Sequence, residues 1–210
     1  MKKNCTEVVF ILDRSGSMCG LEKDTIGGFN SLINKQKKQD GEVLVSTVLF
    51  NDSSVVIHDR KPIDEVRLMI SKDYEVYGCT ALLDALGSSI RHIGNIHKYA
   101  RVEDVPEHTM FVIITDGMEN ASRYYSKERV KSMIEYEKEK YGWEFLFLAA
   151  NMDAIDTASQ YGIDKDHAVN YQCDSVGTRL NYEVLDEAIQ CICSGVPLSK
   201  SWKSKIEKCK

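Results

Sequence analysis

The sequence is poor in proline and glycine, with three and 13 residues in 210, which excludes collagenous, linker-like and disordered material. It has no apolar run near the roughly 18–20 residues that span a bilayer. It has no excess of basic charge either. Against 27 Lys and Arg stand 32 Asp and Glu, a net charge of -5, without the positive footprint that marks nucleic-acid binding. Lys2 and Lys3 precede an apolar stretch, Val8 to Leu12, that Asp13 ends after five residues. A secretory signal needs roughly 7–15. The expectation is a cytoplasmic chain with no leader and no membrane span.

Other absences concern chemistry. Seven cysteines (Cys5, Cys19, Cys79, Cys173, Cys191, Cys193 and Cys209) are scattered, odd in number and never spaced Cys-x-x-Cys, so reduced thiols are expected and a zinc site is not. Cys191 and Cys193 stand two apart on an expected helix and point to different faces. The sequence contains no Gly-x-x-x-x-Gly-Lys-Ser/Thr phosphate loop, no Gly-x-Ser-x-Gly elbow and no His-Glu-x-x-His pair, the local signatures of three large enzyme classes.

What is present is alternation. With 43% hydrophobic residues, a chain of this length buries about 70% of its unfolded surface and forms one domain. Apolar runs and helical segments follow one another from end to end, the pattern of an α/β fold with a mainly parallel sheet and helices on both faces. Strands are expected near 7–12, 43–50, 55–58, 109–115, 143–150 and 168–171. The run 55–58 returns after the polar turn Asn51–Ser54 as one antiparallel edge strand. Helices are expected near 21–39, 62–70, 81–99, 126–140, 153–161 and 182–193, with 71–79 a loop. Gly27 and Gly28 inside the first helix cost helicity, which points to close packing on the sheet. The domain is placed at residues 1–195. Residues 196–210 form a basic tail or terminal helix, with five lysines against Glu207 over 199–210, read as solvated or as a docking segment anchored by Trp202.

In open α/β sheets ligands bind beyond the carboxyl ends of the strands. After the first strand comes Asp13-Arg14-Ser15-Gly16-Ser17, three alternating oxygen donors with a glycine that allows a tight turn. After the fourth comes Thr115-Asp116-Gly117. Between them Gly78-Cys79-Thr80 puts a hydroxyl at a helix start. Asp13, Ser15, Ser17, Thr80 and Asp116 together offer two carboxylates and three hydroxyls. Hard oxygen donors suit Mg²⁺, Mn²⁺ or Ca²⁺. So few carboxylates leave a divalent ion under-neutralised and able to attract an outside acid. Without an ion, Asp13 and Ser15 would cap the following helix and Asp116 would make a turn.

At these residues the chain resembles the von Willebrand factor A (vWA) family and its metal-ion-dependent adhesion site (MIDAS), over roughly residues 5–195. Asp13, Ser15 and Ser17 match its Asp-x-Ser-x-Ser motif, Thr80 its central threonine in Gly-x-Thr-x-Leu, and Asp116 its Thr-Asp-Gly aspartate. The phrases 25–31, 81–87 and 115–122 look like small stand-alone bacterial members, including those associated with tellurite resistance. The resemblance implies a doubly wound, Rossmann-like fold and a divalent ion, usually Mg²⁺, held directly or through water by these five residues. It also implies a protein partner whose Asp or Glu completes the coordination, and an intracellular scaffold or adaptor working beside an AAA+ ATPase or a stress-response protein.

The competing reading is a metal-dependent hydrolase or phosphotransferase at the same sheet edge. Against it, Asp13 is followed by Arg14-Ser15, where haloacid-dehalogenase-type phosphatases carry a second aspartate. Cys19 and Cys79 flank the motif loops as half-buried fillers, and the five histidines read as surface or packing residues. Glu119, Asn120, Asn151 and Asp153 fall where they can rim the site. A non-catalytic, metal-dependent interaction module is the expectation.

Overall fold

A computed structural model describes residues 1–196 and 198–208. Its centre is one six-stranded sheet in the order β3-β2-β1-β4-β5-β6. The strands are β1 (Lys2–Asp13), β2 (Glu42–Phe50), β3 (Ser54–Pro62), β4 (Pro106–Thr115), β5 (Glu144–Ala149) and β6 (Ala168–Asn170). All neighbours run parallel except the hairpin β2–β3 at one edge. Chain order leaves β1 in one direction toward β2 and β3, and in the other toward β4, β5 and β6. The sheet is doubly wound about the β1–β4 pair.

Alternation along the buried strands supplies two cores. Val8, Phe10 and Leu12 face one side with Val112 and Ile114 of β4, under α1 (Glu22–Gln36) and α5 (Ser175–Cys193). Val9 and Ile11 face the other with Phe111, Ile113 and Phe147, under α2 (Leu82–Tyr99), α3 (Lys127–Tyr141) and α4 (Ala154–Gln160). Period-two burial on a strand covered on both faces gives this pattern. Ser126 caps α3 by accepting from Arg129 N–H, and Gly142 ends it at φ 66°. No helix among the described residues is long and apolar enough to cross a membrane.

Four expectations need correction. Residues 62–70 form no helix but a single 3₁₀ turn at Ile63–Glu65 and an extended strap. Side chains of α1 and of Lys37 at its end satisfy its backbone instead. Asn30 donates to the Met69 carbonyl at 2.9 Å and accepts from Met69 N–H at 2.8 Å, while Lys37 Nζ donates to the Val66 carbonyl at 2.9 Å. Gly28 serves α5 rather than the sheet, because a Cβ there would lie 2.2 Å from the Tyr182 ring. Helix α5 begins at Ser175, two turns before the apolar periodicity, since Asp174 accepts from Gly177 N–H at 2.7 Å as an N-cap.

The segment 199–208 is anchored to the domain by three buried residues, Trp202, Lys203 and Ile206. Lys200–Lys203 is a 3₁₀ turn and Ser204–Glu207 a short helix, α6. Trp202 and Ile206 are buried in the α1–α5 core, Trp202 Nε1 donates to the Asp166 carbonyl at 2.8 Å, and Lys203 Nζ donates to the Lys165 and Ala168 carbonyls. Trp202 is therefore no docking anchor. Lys210 of this segment lies outside the described residues.

Candidate metal centre

Strands β1 and β4 lie side by side with Leu12 opposite Ile114, so Asp13 and Thr115-Asp116 emerge at the same edge, where the two windings part. This is the topological switch point at which α/β sheets open a crevice. Asp13 is buried. Its Oδ1 accepts from Ser15 N–H at 2.7 Å and its Oδ2 from the Thr115 hydroxyl at 2.6 Å. Burial raises the Asp13 carboxyl above its ordinary range, against these hydrogen bonds, and the Asp116 carboxylate adds to the rise. Both of its partners are neutral.

The remaining donors come from three directions. Ser17 Oγ donates to Asp116 Oδ1 at 2.5 Å, and Ser15 Oγ lies 3.1 Å from Ser17 Oγ. Gly16 N–H donates to the Gly78 carbonyl at 3.0 Å, which ties the motif loop to the segment that ends in Thr80. Thr80 N–H donates to Asn120 Oδ1 at 2.9 Å, and its carbonyl accepts from Asn120 N–H at 3.0 Å. The convergence point is at Gly117. A Cβ built there would stand 2.7 Å from Thr80 Oγ1, 3.1 Å from Ser17 Oγ and 3.5 Å from Ser15 Oγ. Three hydroxyl oxygens from two stretches thus face one small space beside a third, left clear because residue 117 has no side chain.

All five sequence-derived residues stand at this edge. Asp13, Ser15, Thr80 and Asp116 are buried and Ser17 is exposed, so the cradle opens to solvent on the Ser17 side. Its chemistry is that of a hard-cation site: two carboxylates, three hydroxyls and no lysine or arginine hydrogen-bonded to either carboxylate among the described residues. No cluster of three His, Cys, Asp or Glu suited to a metal occurs among them, in keeping with a donor set that is mostly hydroxyl. The donors present fit an octahedral oxygen-preferring ion.

Several positioning groups were not legible in the sequence. The Tyr74 hydroxyl, buried in the loop that follows the strap, donates to the Asp13 carbonyl. Cys173, just past β6, places its Sγ 3.3 Å from Asp116 Oδ2, and burial together with that carboxylate pushes its thiol up to about 11. It follows a strand end, the one signal that could have marked it. Of the four rim residues, Asn120 holds Thr80, and Asn151 Nδ2 donates to the Asp116 carbonyl at 3.3 Å. Glu119 accepts from Leu83 N–H at 2.8 Å at the start of α2. Asp153 caps α4 instead. Cys19 and Cys79 are exposed rather than half-buried.

No protein-family model matches the chain, and no curated protein matches it. Solved structures match in fold. The vWF domain of the type V pili tip protein Mfa5 from Porphyromonas gingivalis aligns at TM-score 0.61 and 9% identity, over 92% of this chain and 97% of that one. A von Willebrand factor type A protein from Catenulispora acidiphila aligns at 0.56 and 13%, over 88% and 42%. Proximal thread matrix protein 1 from the mussel byssus, with a zinc-occupied MIDAS motif, aligns at 0.59 and 14%, over 90% and 47%. The chain spans about half the length of most such structures. At these identities the likeness establishes the fold, which is the Rossmann-like vWA fold.

Proposed function

Starting from a vWA fold with this cradle at its switch point, we propose that the protein is a metal-dependent interaction module. Asp13, Ser15, Ser17, Thr80 and Asp116 would hold one divalent ion, Mg²⁺ first and Mn²⁺ or Ca²⁺ by the same donors. When bound, the ion supplies an under-neutralised positive centre that takes an Asp or Glu carboxylate from a protein partner. The residues of this chain do the rest: Thr115 and Ser15 orient Asp13, Asn120 orients Thr80, and Gly117 keeps the approach open. The setting is a cytoplasmic scaffold or adaptor, without catalysis.

The observation that carries this reading is the convergence of three hydroxyls on the space beside Gly117. The zinc-occupied motif of the mussel protein supports a divalent ion in this fold. Titration calorimetry with Mg²⁺ and Mn²⁺ tests it. The wild-type chain should bind one ion, and Asp13→Ala and Thr80→Ala should lose it. Equal heats in all three would remove the metal site. Hydrolysis of a generic phosphate ester that disappears in Asp13→Ala would overturn the non-catalytic part.

A further inference from the structure

One buried charge at this edge has no ion-pair counterpart among the described residues. Arg14, between Asp13 and Ser15, is 8% exposed. Its Nε is buried without a hydrogen-bond partner, and no ion pair among the described residues includes it. Its main chain is fixed: Arg14 N–H donates to the Phe50 carbonyl at 2.7 Å, and its carbonyl accepts from Tyr77 N–H at 3.1 Å. The guanidinium carbon lies 5.5 Å from the centroid of the Tyr77 ring. Arg60 and Arg67 differ, since Arg60 Nε donates to Glu7 at 2.6 Å and Arg67 forks onto both oxygens of Asp73 at 2.7 and 2.8 Å. Asp52 stands at the same loop, but its carboxylate is the group a Cβ on Gly78 would strike, and it does not pair with Arg14. A guanidinium taken out of water without an anion is expensive to keep.

Tyr77 holds this charge against the segment that leads to the cradle. It is half exposed, its neighbour Gly78 receives the Gly16 hydrogen bond, and Thr80 follows three residues on. We infer that Arg14 is a specificity-determining residue that reads the partner's carboxylate together with the ion. The inference rests on the metal-dependent reading above. Asp13 and Asp116 are the two cradle carboxylates that face a divalent cation, and Arg14 adds one positive charge that neither of them receives. A single carboxylate cancels it, whereas a phosphate dianion overshoots. The planar guanidinium, over the Tyr77 ring, has the fork geometry that fits a carboxylate. Met118, 69% exposed two residues past Asp116, and Tyr77 give the surrounding surface an apolar character. The partner is therefore an acidic residue flanked by an apolar or aromatic side chain.

The test uses 4-fluorophenylacetate as probe, followed by fluorine NMR on the full chain, with Mg²⁺ affinity measured separately by calorimetry. Wild type should bind the probe with Mg²⁺ present and release it in EDTA. Arg14→Gln should weaken the probe by about tenfold, the loss of a charge-assisted fork. The same change should tighten Mg²⁺ by about twofold, because a like charge is gone. These opposite signs separate charge recognition from damage to the fold. Tyr77→Leu, at an exposed ring, keeps the charge and should weaken the probe by about threefold. Probe affinity equal to wild type in Arg14→Gln with Mg²⁺ bound overturns the inference, as does a wild type that binds Mg²⁺ and not the probe. Inorganic phosphate displacing the probe at lower concentration than acetate overturns the carboxylate class. Failure of wild type to bind Mg²⁺ sinks the metal-dependent reading itself.

Discussion

Glu7 and Asp13 lie on the same strand, six residues apart, both buried and, by the alternation of β1, on the same face. They are satisfied in opposite ways. Glu7 receives Arg60 Nε on one oxygen and His97 Nε2 on the other, each at 2.6 Å. The lower end of β1 therefore balances its charge inside the chain, from β3 on one side and α2 on the other. Asp13 receives hydroxyls and an amide, with Asp116 close by and no basic side chain hydrogen-bonded to it among the described residues. A buried acid with its own cation holds the fold together, whereas a buried acid held only by neutral groups is the kind that the proposed metal-dependent function requires.

The strongest way to break this comparison is at the balanced end. Glu7→Gln leaves Arg60 and His97 without their acid, and unpairing a buried charge costs about 3 kcal/mol or more. Urea unfolding should show that loss, with Mn²⁺ affinity unchanged. At the other end, Asp13→Asn removes a desolvated carboxylate whose partners are neutral. In EDTA its stability should stay within about 1 kcal/mol of wild type. In Mg²⁺ at a hundredfold over the dissociation constant, wild type should gain about 2.7 kcal/mol and the variant nothing. Thermal unfolding in the two buffers distinguishes the outcomes.

Gly117→Ala sharpens the upper end without touching a charge. Its backbone is not in the left-handed region, so the fold should tolerate a methyl group that lands against Thr80 and Ser17. Calorimetry should show metal affinity reduced by about tenfold, or 1.4 kcal/mol.

His58 offers the smallest and most diagnostic effect. Like Asp13 it is buried without an ion-pair partner, its Nδ1 3.0 Å from Thr47 Oγ1, and it stacks on Phe29. Burial lowers its pKa from 6.5, with the Arg67 charge adding to the drop. The unfolded chain takes up a proton as pH falls through 6.5 while the native state does not. Stability from this residue is complete above that pH and declines below it. Denaturant midpoints between pH 7.5 and 5.5 should fall less steeply in His58→Gln than in wild type.

Much of this site could be read along the chain because its donors are local to strand ends. Asp13, Ser15 and Ser17 alternate within five residues, Asp116 precedes Gly117, and Thr80 follows Gly78 by two positions. The positioning groups could not be read. Tyr74 lies 61 residues from the carbonyl it holds and Thr115 lies 102 from Asp13. The strap at 62–70 misled for a related reason: its apolar spacing suits a helix, but Asn30 of α1 and Lys37 at the end of that helix provide hydrogen bonds that a helix would have made internally. Trp202 misled too, because lysines surround it in sequence while the α1–α5 core surrounds it in space.

Residue order by itself determined the alternation of strands and helices, the antiparallel edge and the five oxygen donors, since each depends on periodicity or on neighbours a few positions apart. The three-dimensional arrangement alone decided which charges are answered. Whether Glu7 meets Arg60 and His97, and whether Asp13 or Arg14 meets nothing of opposite sign, depends on contacts between distant segments. Coulomb forces act through space, and they take no account of distance along the chain.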